Sequence, residues 1–418
     1  MPNDHAILAP SASKRWMTCG PSARLEAQVS SKETAYTKEG TIAHAMAEAL
    51  LRTFLEEGNL EENYVDLFRV WYDADRKADK SSGNLTDLAK QVDEALAEEL
   101  DPWEMLSTVL DHYCRPVYED YCRAKNEDPD AVLLIEQKLK LTEFIPEGFG
   151  SSDAVIIGSR TLAVYDLKYG KGVKVSAKAN PQMRCYALGA WCGPAELYDI
   201  DHIQMTIIQP RLQWISTDSM SAASLIAWGK EELRPAAIRA YQGEGDFVPG
   251  EHCRFCAVAP RCKALAAKAA ALNAERNDTG LMTNAEIAEA LTKIASLKSW
   301  LTTLEAYALQ KALEGEVFPG FKVVEGKSNR QIPAANQATA MQILEDQGFE
   351  ESSYCRPKEL KTISDLEKLL KKKGFQELLG DLVIKPQGKP TLVEESDPRP
   401  PMNSTLSAKE DFKDIQLN

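Results

Sequence analysis

The stretch GFGSSDAVIIGSRTLAVYDLKYGKG, residues 148–172, holds three side chains whose types and spacing could do chemistry together: Asp153, Asp166 and Lys168. The runs AVII and TLAVYDL flank Gly158, Ser159 and Arg160, and a two-residue turn at Ser159 and Arg160 sets Asp153 opposite Asp166. Directly opposed residues of an antiparallel pair hold their Cβ atoms about 4.5–5.5 Å apart, and like charges at that distance destabilise a sheet unless a cation lies between them. Lys168 shares the face of Asp166 because strand side chains alternate with period two. Two carboxylates beside an amine suit a hard oxygen-seeking ion such as Mg²⁺ or Mn²⁺. Without such an ion, Asp153 is a turn residue before a strand, and Asp166 and Lys168 are a solvent-facing pair at a strand end.

A second constellation is CRFCAVAPRC, residues 253–262, with three of the chain's nine cysteines in ten positions. Cages for zinc or for an iron–sulfur cluster use four ligands, so one must come from elsewhere. His252, beside Cys253, can serve a tetrahedral Zn²⁺. Cys114, Cys122, Cys185, Cys192 and Cys355 lack cage spacing and read as small buried residues.

These groups need elements to place them. Residues 34–55 have helical spacing of Ala, Met and Leu, with His44 on the second turn. Residues 56–130 read as an acidic, mainly helical insertion with aromatic residues, and AVLLIEQKLKL, residues 131–141, as a buried strand carrying Glu136. After the 148–172 hairpin, residues 178–192 read as a helix with Asn180 at its N-cap and Pro181 at its first position. Gln182 and Tyr186 share one face of that helix and could grip a phosphate or orient a strand. Residues 199–212 read as another strand, and WGKEELRPAAIRAYQG as a helix leading into the cysteines. The order predicts a mixed α/β sheet with helices packed on it.

Asp153, then Asp166-Leu167-Lys168, then Gln182-x-x-x-Tyr186, preceded by Gly40-Thr41-x-x-His44, resemble the RecB branch of the PD-(D/E)XK nucleases. The resemblance implies a restriction-endonuclease-like core and a metal-dependent deoxyribonuclease, an exonuclease acting on single-stranded DNA or on DNA ends. It implies His44, Asp153 and Asp166 as metal ligands, with Glu136 as an added carboxylate, and Lys168 as the amine that orients or activates water. Gln182 and Tyr186 would support the site, and Lys171, Lys174, Lys178 and Arg184 would contact DNA. Some of these nucleases, among them the nuclease subunit of AddAB-type helicase–nucleases and the CRISPR adaptation nucleases, carry a [4Fe–4S] cluster held by one upstream cysteine and a C-x-x-C-x₅-C group. That pattern implies Cys19, Cys253, Cys256 and Cys262 as the cluster ligands, a cross-link that would close a loop around the catalytic domain. The segments Ser11 to Cys19 and Ser396 to Pro400 further resemble the ends of a phage-encoded protein group. They imply a phage replication or recombination setting inside a bacterial host cytoplasm, with recombination or single-strand-binding proteins as partners and an oligomer permitted. Two other classes compete: a non-catalytic DNA-end-binding or structural subunit of the same fold, and a zinc-stabilised interaction module.

A chain of 418 residues with 44% hydrophobic and 27% charged residues suits two or three globular domains. The expected division is 1–275 for the catalytic domain, 276–395 for an α+β accessory domain and 396–418 for an extended tail. No long apolar run suggests a membrane span, and the first residues lack the build of a secretory signal. A formal charge of −14 opposes nucleic-acid binding at long range, but Lys168, Lys171, Lys174, Lys178 and Arg184 form an acid-free basic run that screening would isolate from the acidic insertion. In the accessory region, Thr283 to Glu286 reads as a capping box opening a long amphipathic helix to Gly315, for core packing or a coiled-coil partner. Residues 321–332 read as a hairpin, and 362–374 as a helix whose C-terminal end carries Lys371, Lys372 and Lys373.

Overall fold

The computed structural model describes residues 6–29, 35–58, 60–74, 83–274, 283–326, 330–356, 359–384, 386, 389–394, 399 and 401. The chain divides into two compact units, Met1–Glu289 and Ala290–Asn418.

The first unit opens with α1 (Ser13–Thr18), α2 (Pro21–Glu26) and the long α3 (Ala35–Glu57). The acidic insertion is helical as expected: α4 (Tyr64–Ala74), α5 (Gly83–Ala97), α6 (Pro102–Val109) and α7 (Arg115–Glu127). Between α6 and α7 the helix widens into a π turn, Leu110–Cys114, in which the Arg115 amide donates to the Leu110 carbonyl. Pro116 follows directly, and a proline in a helix interior has no N–H to give and collides with the carbonyl four residues back, so one extra residue per turn relieves the clash. The same solution recurs at Gly229–Leu233, ahead of Pro235, between α9 (Ala222–Trp228) and α10 (Arg234–Gln242).

The sheet holds five strands in sequence order: β1 (Val132–Lys140), β2 (Phe149–Ile157), β3 (Thr161–Leu167), β4 (His202–Gln209) and β5 (Trp214–Ser221). Neighbours are antiparallel except β3 and β4, which run parallel. The helix α8 (Pro181–Trp191) crosses between those two, and Asn180 caps it by accepting from the Gln182 amide. Ala154 pairs with Tyr165 and Val155 with Val164, the register expected from a turn at Ser159 and Arg160. One strand escaped the sequence reading: in β5 (WISTDSMS), half-buried and exposed residues alternate, and its Ser, Thr and Asp content gave no apolar signal.

The sheet is covered on both faces. Ala154, Ile156, Tyr165 and Leu167 pack with α3 to α7, while Val155, Ile157, Val164 and Met205 pack with α8 to α10 and the N-terminal Trp16. β1 lies at the sheet edge and is half-buried along much of its length rather than fully buried. Leu133 and Ile135 pack with the α3 layer, whereas Leu139, of the same parity, packs with the α8 layer. The alternation is broken between them, where Glu136 has φ +47° and drops out of the ladder between Ile135↔Ala154 and Gln137↔Ser152. A glutamate in the left-handed region is strained, and such strain persists where the surroundings impose it.

After α11 (Lys263–Ala274), α12 (Asn284–Leu313) confirms one long helix. Its described side chains between 297 and 313 are half-buried or exposed, Leu301 at 43%, so they do not fill a core as the stripe suggested. The capping-box Glu286 and the stripe residues Ile287, Leu291 and Ile294 lie outside the described side chains.

The second unit also holds β6 (Phe321–Glu325), α13 (Ala334–Asp346), α14 (Glu351–Tyr354), β7 (Cys355–Arg356), β8 (Glu359–Leu360), α15 (Ile363–Leu379) and β9 (Pro390–Glu394). Among the described residues, the hairpin expected over 321–332 is not formed. β6 pairs instead with β9, more than sixty residues on, and Gln331 bridges Ile384. α15 starts at the Thr362 cap but runs past residue 374, with a break at Lys371 (φ +57°), so the lysines sit at an internal kink and not at the helix end. Of the expected tail, 396–418, only 399 and 401 fall within the described residues.

Candidate metal centre and cysteine cavity

The site forms where β3 ends. Asp153 and Asp166 occupy neighbouring strands at the next register position beyond Ala154↔Tyr165, and Leu167 donates its amide to Asp153 Oδ2 at 2.6 Å. His44, on α3, places Nδ1 3.2 Å from Asp153 Oδ1. Lys168 Nζ lies 2.9 and 2.8 Å from the two oxygens of Asp166, a carboxylate only 2% exposed. Gln182 Nε2 donates to Asp166 Oδ1 at 3.0 Å and stands 3.2 Å from the Tyr186 hydroxyl. The α8 face therefore orients the second carboxylate. Close approach makes this possible: a Cβ on Gly150 would come within 2.9 Å of Pro10 and 3.4 Å of Tyr186.

Ligand atoms of His44, Glu136 and Asp153 all lie within 4.8 Å of one another, so these three could hold a metal ion. This trio differs from the expected one. Glu136, the weaker sequence candidate, joins His44 and Asp153, while Asp166 is taken up by Lys168 and Gln182. An imidazole with two carboxylates is a donor set for Mn²⁺ or Mg²⁺, and octahedral ions of that kind keep open positions for water. Asp166 Oδ2 is also without a hydrogen bond, although Lys168 is close to it.

Charges in this pocket are strongly coupled. Burial opposes protonation of His44, but the Asp153 carboxylate beside it lifts its pKa to about 9. Burial, then Asp153, raises Glu136 to about 7. Asp153 is held below its ordinary range because His44 and Lys168 outweigh the burial that would raise it. Asp166 is raised by burial despite Lys168. Lys168 is raised in turn, since Asp166 and Asp153 overcome burial, so its amine stays charged.

The basic loop leaves β3 and runs to α8, with Lys171, Lys174 and Lys178 exposed. Its backbone is pinned at alternate amides: Val175 donates to Gln209 Oε1 at 2.6 Å, Ala177 to Ser216 Oγ at 2.9 Å and Ala179 to Asp218 Oδ2 at 2.9 Å. Lys174 Nζ sits 4.5 Å over the Trp214 ring, whose Nε1 donates to the Val175 carbonyl. β5, absent from the sequence reading, thus fixes the loop. Arg184 is placed elsewhere: at 100° per residue it lies about 200° around α8 from Gln182, and its guanidinium stacks 5.3 Å over Trp228.

Cys19, Cys253, Cys256 and Cys262 line one cavity with about 380 Å³ of unfilled space, part of it open to solvent. The N-terminal helices are tied to this loop: Arg15 donates to the Phe255 carbonyl at 3.0 Å, Glu26 accepts from the Ala257 amide at 2.7 Å, and Arg15 pairs with Glu26. Gly20 lets the start of α2 pack on the end of α10, because a Cβ there would collide with the Glu244 carbonyl oxygen. The Gly250 amide donates to Cys253 Sγ at 3.3 Å. Among the described residues, the sulfurs do not gather into a group of three within 4.8 Å, whereas a tetrahedral Zn²⁺ with bonds of about 2.3 Å would hold pairs about 3.8 Å apart. His252 is half-buried on the same cavity and its Nε2 has no partner.

The chain matches, over residues 5–400, the family described as "Protein of unknown function (DUF2800)", and belongs to that family. A solved structure titled "Crystal structure of SSO0001" resembles 53% of this chain and 95% of that one, at 16% identity and a TM-score of 0.22, too loose a likeness to carry an argument about the site. No helix among the described residues is long and apolar enough to cross a membrane.

Proposed function

We propose that this protein is a Mg²⁺- or Mn²⁺-dependent deoxyribonuclease of the RecB-like PD-(D/E)XK type, acting as an exonuclease on single-stranded DNA or on DNA ends. The observation that carries this reading is the convergence of His44, Glu136 and Asp153 beside an Asp166–Lys168 pair oriented by Gln182. A divalent ion held by His44, Glu136 and Asp153 would polarise the scissile phosphate and neutralise charge on the leaving oxygen. Water attacks phosphorus and gives up a proton to solvent, the phosphorus–oxygen bond to the sugar breaks, and the departing alkoxide takes a proton from solvent. The residues of the chain prepare that step. Lys168, charged because Asp166 faces it, is a donor that holds the attacking water rather than a base that deprotonates it. Gln182 keeps Asp166 turned toward Lys168. Lys171, Lys174 and Lys178 neutralise neighbouring phosphates from a loop that β5 holds in place, and the local positive field outlasts the distant acidic helices at a screening length of about 8 Å.

The split pattern, Cys19 far from the Cys253-x-x-Cys256-x₅-Cys262 group yet lining the same cavity, supports a [4Fe–4S] cluster on these four residues, with zinc as the alternative. Such a cluster would join residue 19 to the 253–262 loop as a structural cross-link. The phage recombination setting, with DNA in a bacterial cytoplasm, rests on the separate resemblance of the segments Ser11 to Cys19 and Ser396 to Pro400 to a phage-encoded group. The test is digestion of end-labelled single- and double-stranded DNA with Mg²⁺ or Mn²⁺. Native protein degrades DNA only with metal, and Asp166→Ala and Lys168→Ala abolish degradation; equal activity in the variants rejects the site.

A further inference from the structure

Lys168, Gln209 and Trp214 form one row across the sheet. Leu167 pairs with Ile208, so Lys168 and Gln209 take the next position, where the Lys168 amide donates to the Ile208 carbonyl at 2.9 Å, and Gln209 pairs with Trp214. Neighbouring strands lie about 4.8 Å apart, which puts the Trp214 backbone about 10 Å from that of Lys168. By alternation, the three side chains share the face on which Val164, Ile207 and Met220 pack with α8.

Gln209, 2% exposed, uses its carboxamide as a strand would use its backbone: Oε1 accepts from the Val175 amide at 2.6 Å, and Nε2 donates to the Val173 carbonyl at 3.1 Å. Lys174, between these two anchors, is exposed and holds its amine 4.5 Å from the centroid of the Trp214 ring. The indole is fixed in turn, since its Nε1 donates to the Val175 carbonyl at 3.0 Å. Trp214 is half-buried, and one face of its ring is thus covered by a side chain that itself lies in solvent. The same loop exposes Lys171, Lys178 and, at 55%, Val173.

A fixed aromatic ring among lysines is the make-up of a single-strand groove, where cations follow the phosphates and bases stack on rings. An exposed cation–π contact is weaker than a stacked base, and an ammonium that leaves the ring for a phosphate gains a charge-assisted contact, so exchanging Lys174 for a base is favourable on both counts. We propose that Trp214 is a substrate-binding residue: Lys174 moves to a phosphate, and the uncovered indole stacks an unpaired base of single-stranded DNA close to the phosphate held at Lys168. This rests on the DNA-cleaving reading of the metal centre and narrows its substrate to single strands, because a base within a duplex is already stacked and must be extruded before a side chain can reach its face.

The experiment is fluorescence anisotropy of the full chain with labelled oligothymidine, with an abasic strand of the same length and with a duplex, Ca²⁺ replacing Mg²⁺ so that the strands persist. Native protein is expected to bind oligothymidine about tenfold more tightly than the abasic strand, which carries the same phosphates without bases. Trp214→Leu is expected to bind the two strands alike, and Trp214→Phe, which keeps a ring, to retain most of the preference, with Mn²⁺ affinity unchanged in both. Lys174→Ala, on the exposed loop, is expected to keep the preference while the slope of log affinity against log salt falls by about 0.7, one phosphate contact on a single strand. Native protein that binds none of the three DNAs overturns the DNA reading itself. Native binding that ignores the bases, or is tightest on the duplex, overturns the single-strand assignment alone and needs no variant to show it. A preference that survives Trp214→Leu, or a loss equal on both strands, overturns the stacking role of Trp214, and an unchanged salt slope in Lys174→Ala overturns the exchange.

Discussion

Lys168→Met is the substitution whose cost the structure fixes most tightly. It leaves Asp166, 2% exposed, without the ammonium that now lies 2.8–2.9 Å from both of its oxygens. Removing one partner of a buried ion pair costs about 3–5 kcal/mol, and the 31% exposure of the lysine side chain places this pair near the lower end, about 3 kcal/mol. A carboxylate so stranded escapes by taking a proton, and about 3 kcal/mol corresponds to about two pK units. The sign follows from linkage. A folded-state pKa raised above the unfolded value leaves stability intact at low pH, where both states are protonated, and removes it as pH rises toward the folded value. Asp166 is already raised by burial in the native protein, and the substitution raises it further. The deficit of the variant should therefore be smaller at pH 4 than at pH 7, growing toward about 3 kcal/mol as pH rises. Urea denaturation at those two pH values measures the difference. Adding Asp166→Asn to Lys168→Met should restore most of the loss, because no buried charge then remains. A deficit equal at both pH values, or below about 1 kcal/mol at pH 7, would refute the buried-pair reasoning.

Three further outcomes are expected. His44 is protonated up to about pH 9 through Asp153, so its contribution to the metal-free fold is complete below the ordinary histidine value and disappears as pH rises through 9; an ion must displace that proton, so Mn²⁺ affinity should climb about tenfold per pH unit between 7 and 8, and a flat titration would contradict the coupling. Ser216→Ala leaves the fully buried Ala177 amide unpaired, which should loosen the Lys174–Lys178 loop, weaken binding of labelled DNA severalfold and leave Mn²⁺ affinity unchanged. Cys19→Ser should abolish the brown colour of anaerobically purified protein and lower its melting temperature, and retained visible absorbance would remove Cys19 from the ligand set.

The sequence by itself determined the parts governed by short range. A turn of two residues fixes strand register, so the adjacency of Asp153 and Asp166 and the shared face of Lys168 followed from counting, and Asn180-Pro181 marked the start of α8 because caps act within one turn. The helical insertion and the mixed sheet followed from periodicity in the same way. What only the tertiary structure decided depends on distant partners. Glu136 was already an added carboxylate in the resemblance, but that it rather than Asp166 groups with His44 and Asp153 depends on a left-handed backbone, a conformation no glutamate signals locally. The dipeptide Arg115-Pro116 does announce a helix defect, but where the turn sits, with the Cys114 thiol donating to the Ala47 carbonyl of α3, depends on how α3 and the sheet pack on it. β5 was silent because a half-exposed edge strand needs few apolar residues, yet its Ser216 and Asp218 hold the basic loop. β6 chose a strand far along the chain over its own neighbour for the same reason: burial and ladder hydrogen bonds are settled by which surfaces meet, and sequence distance does not enter that account.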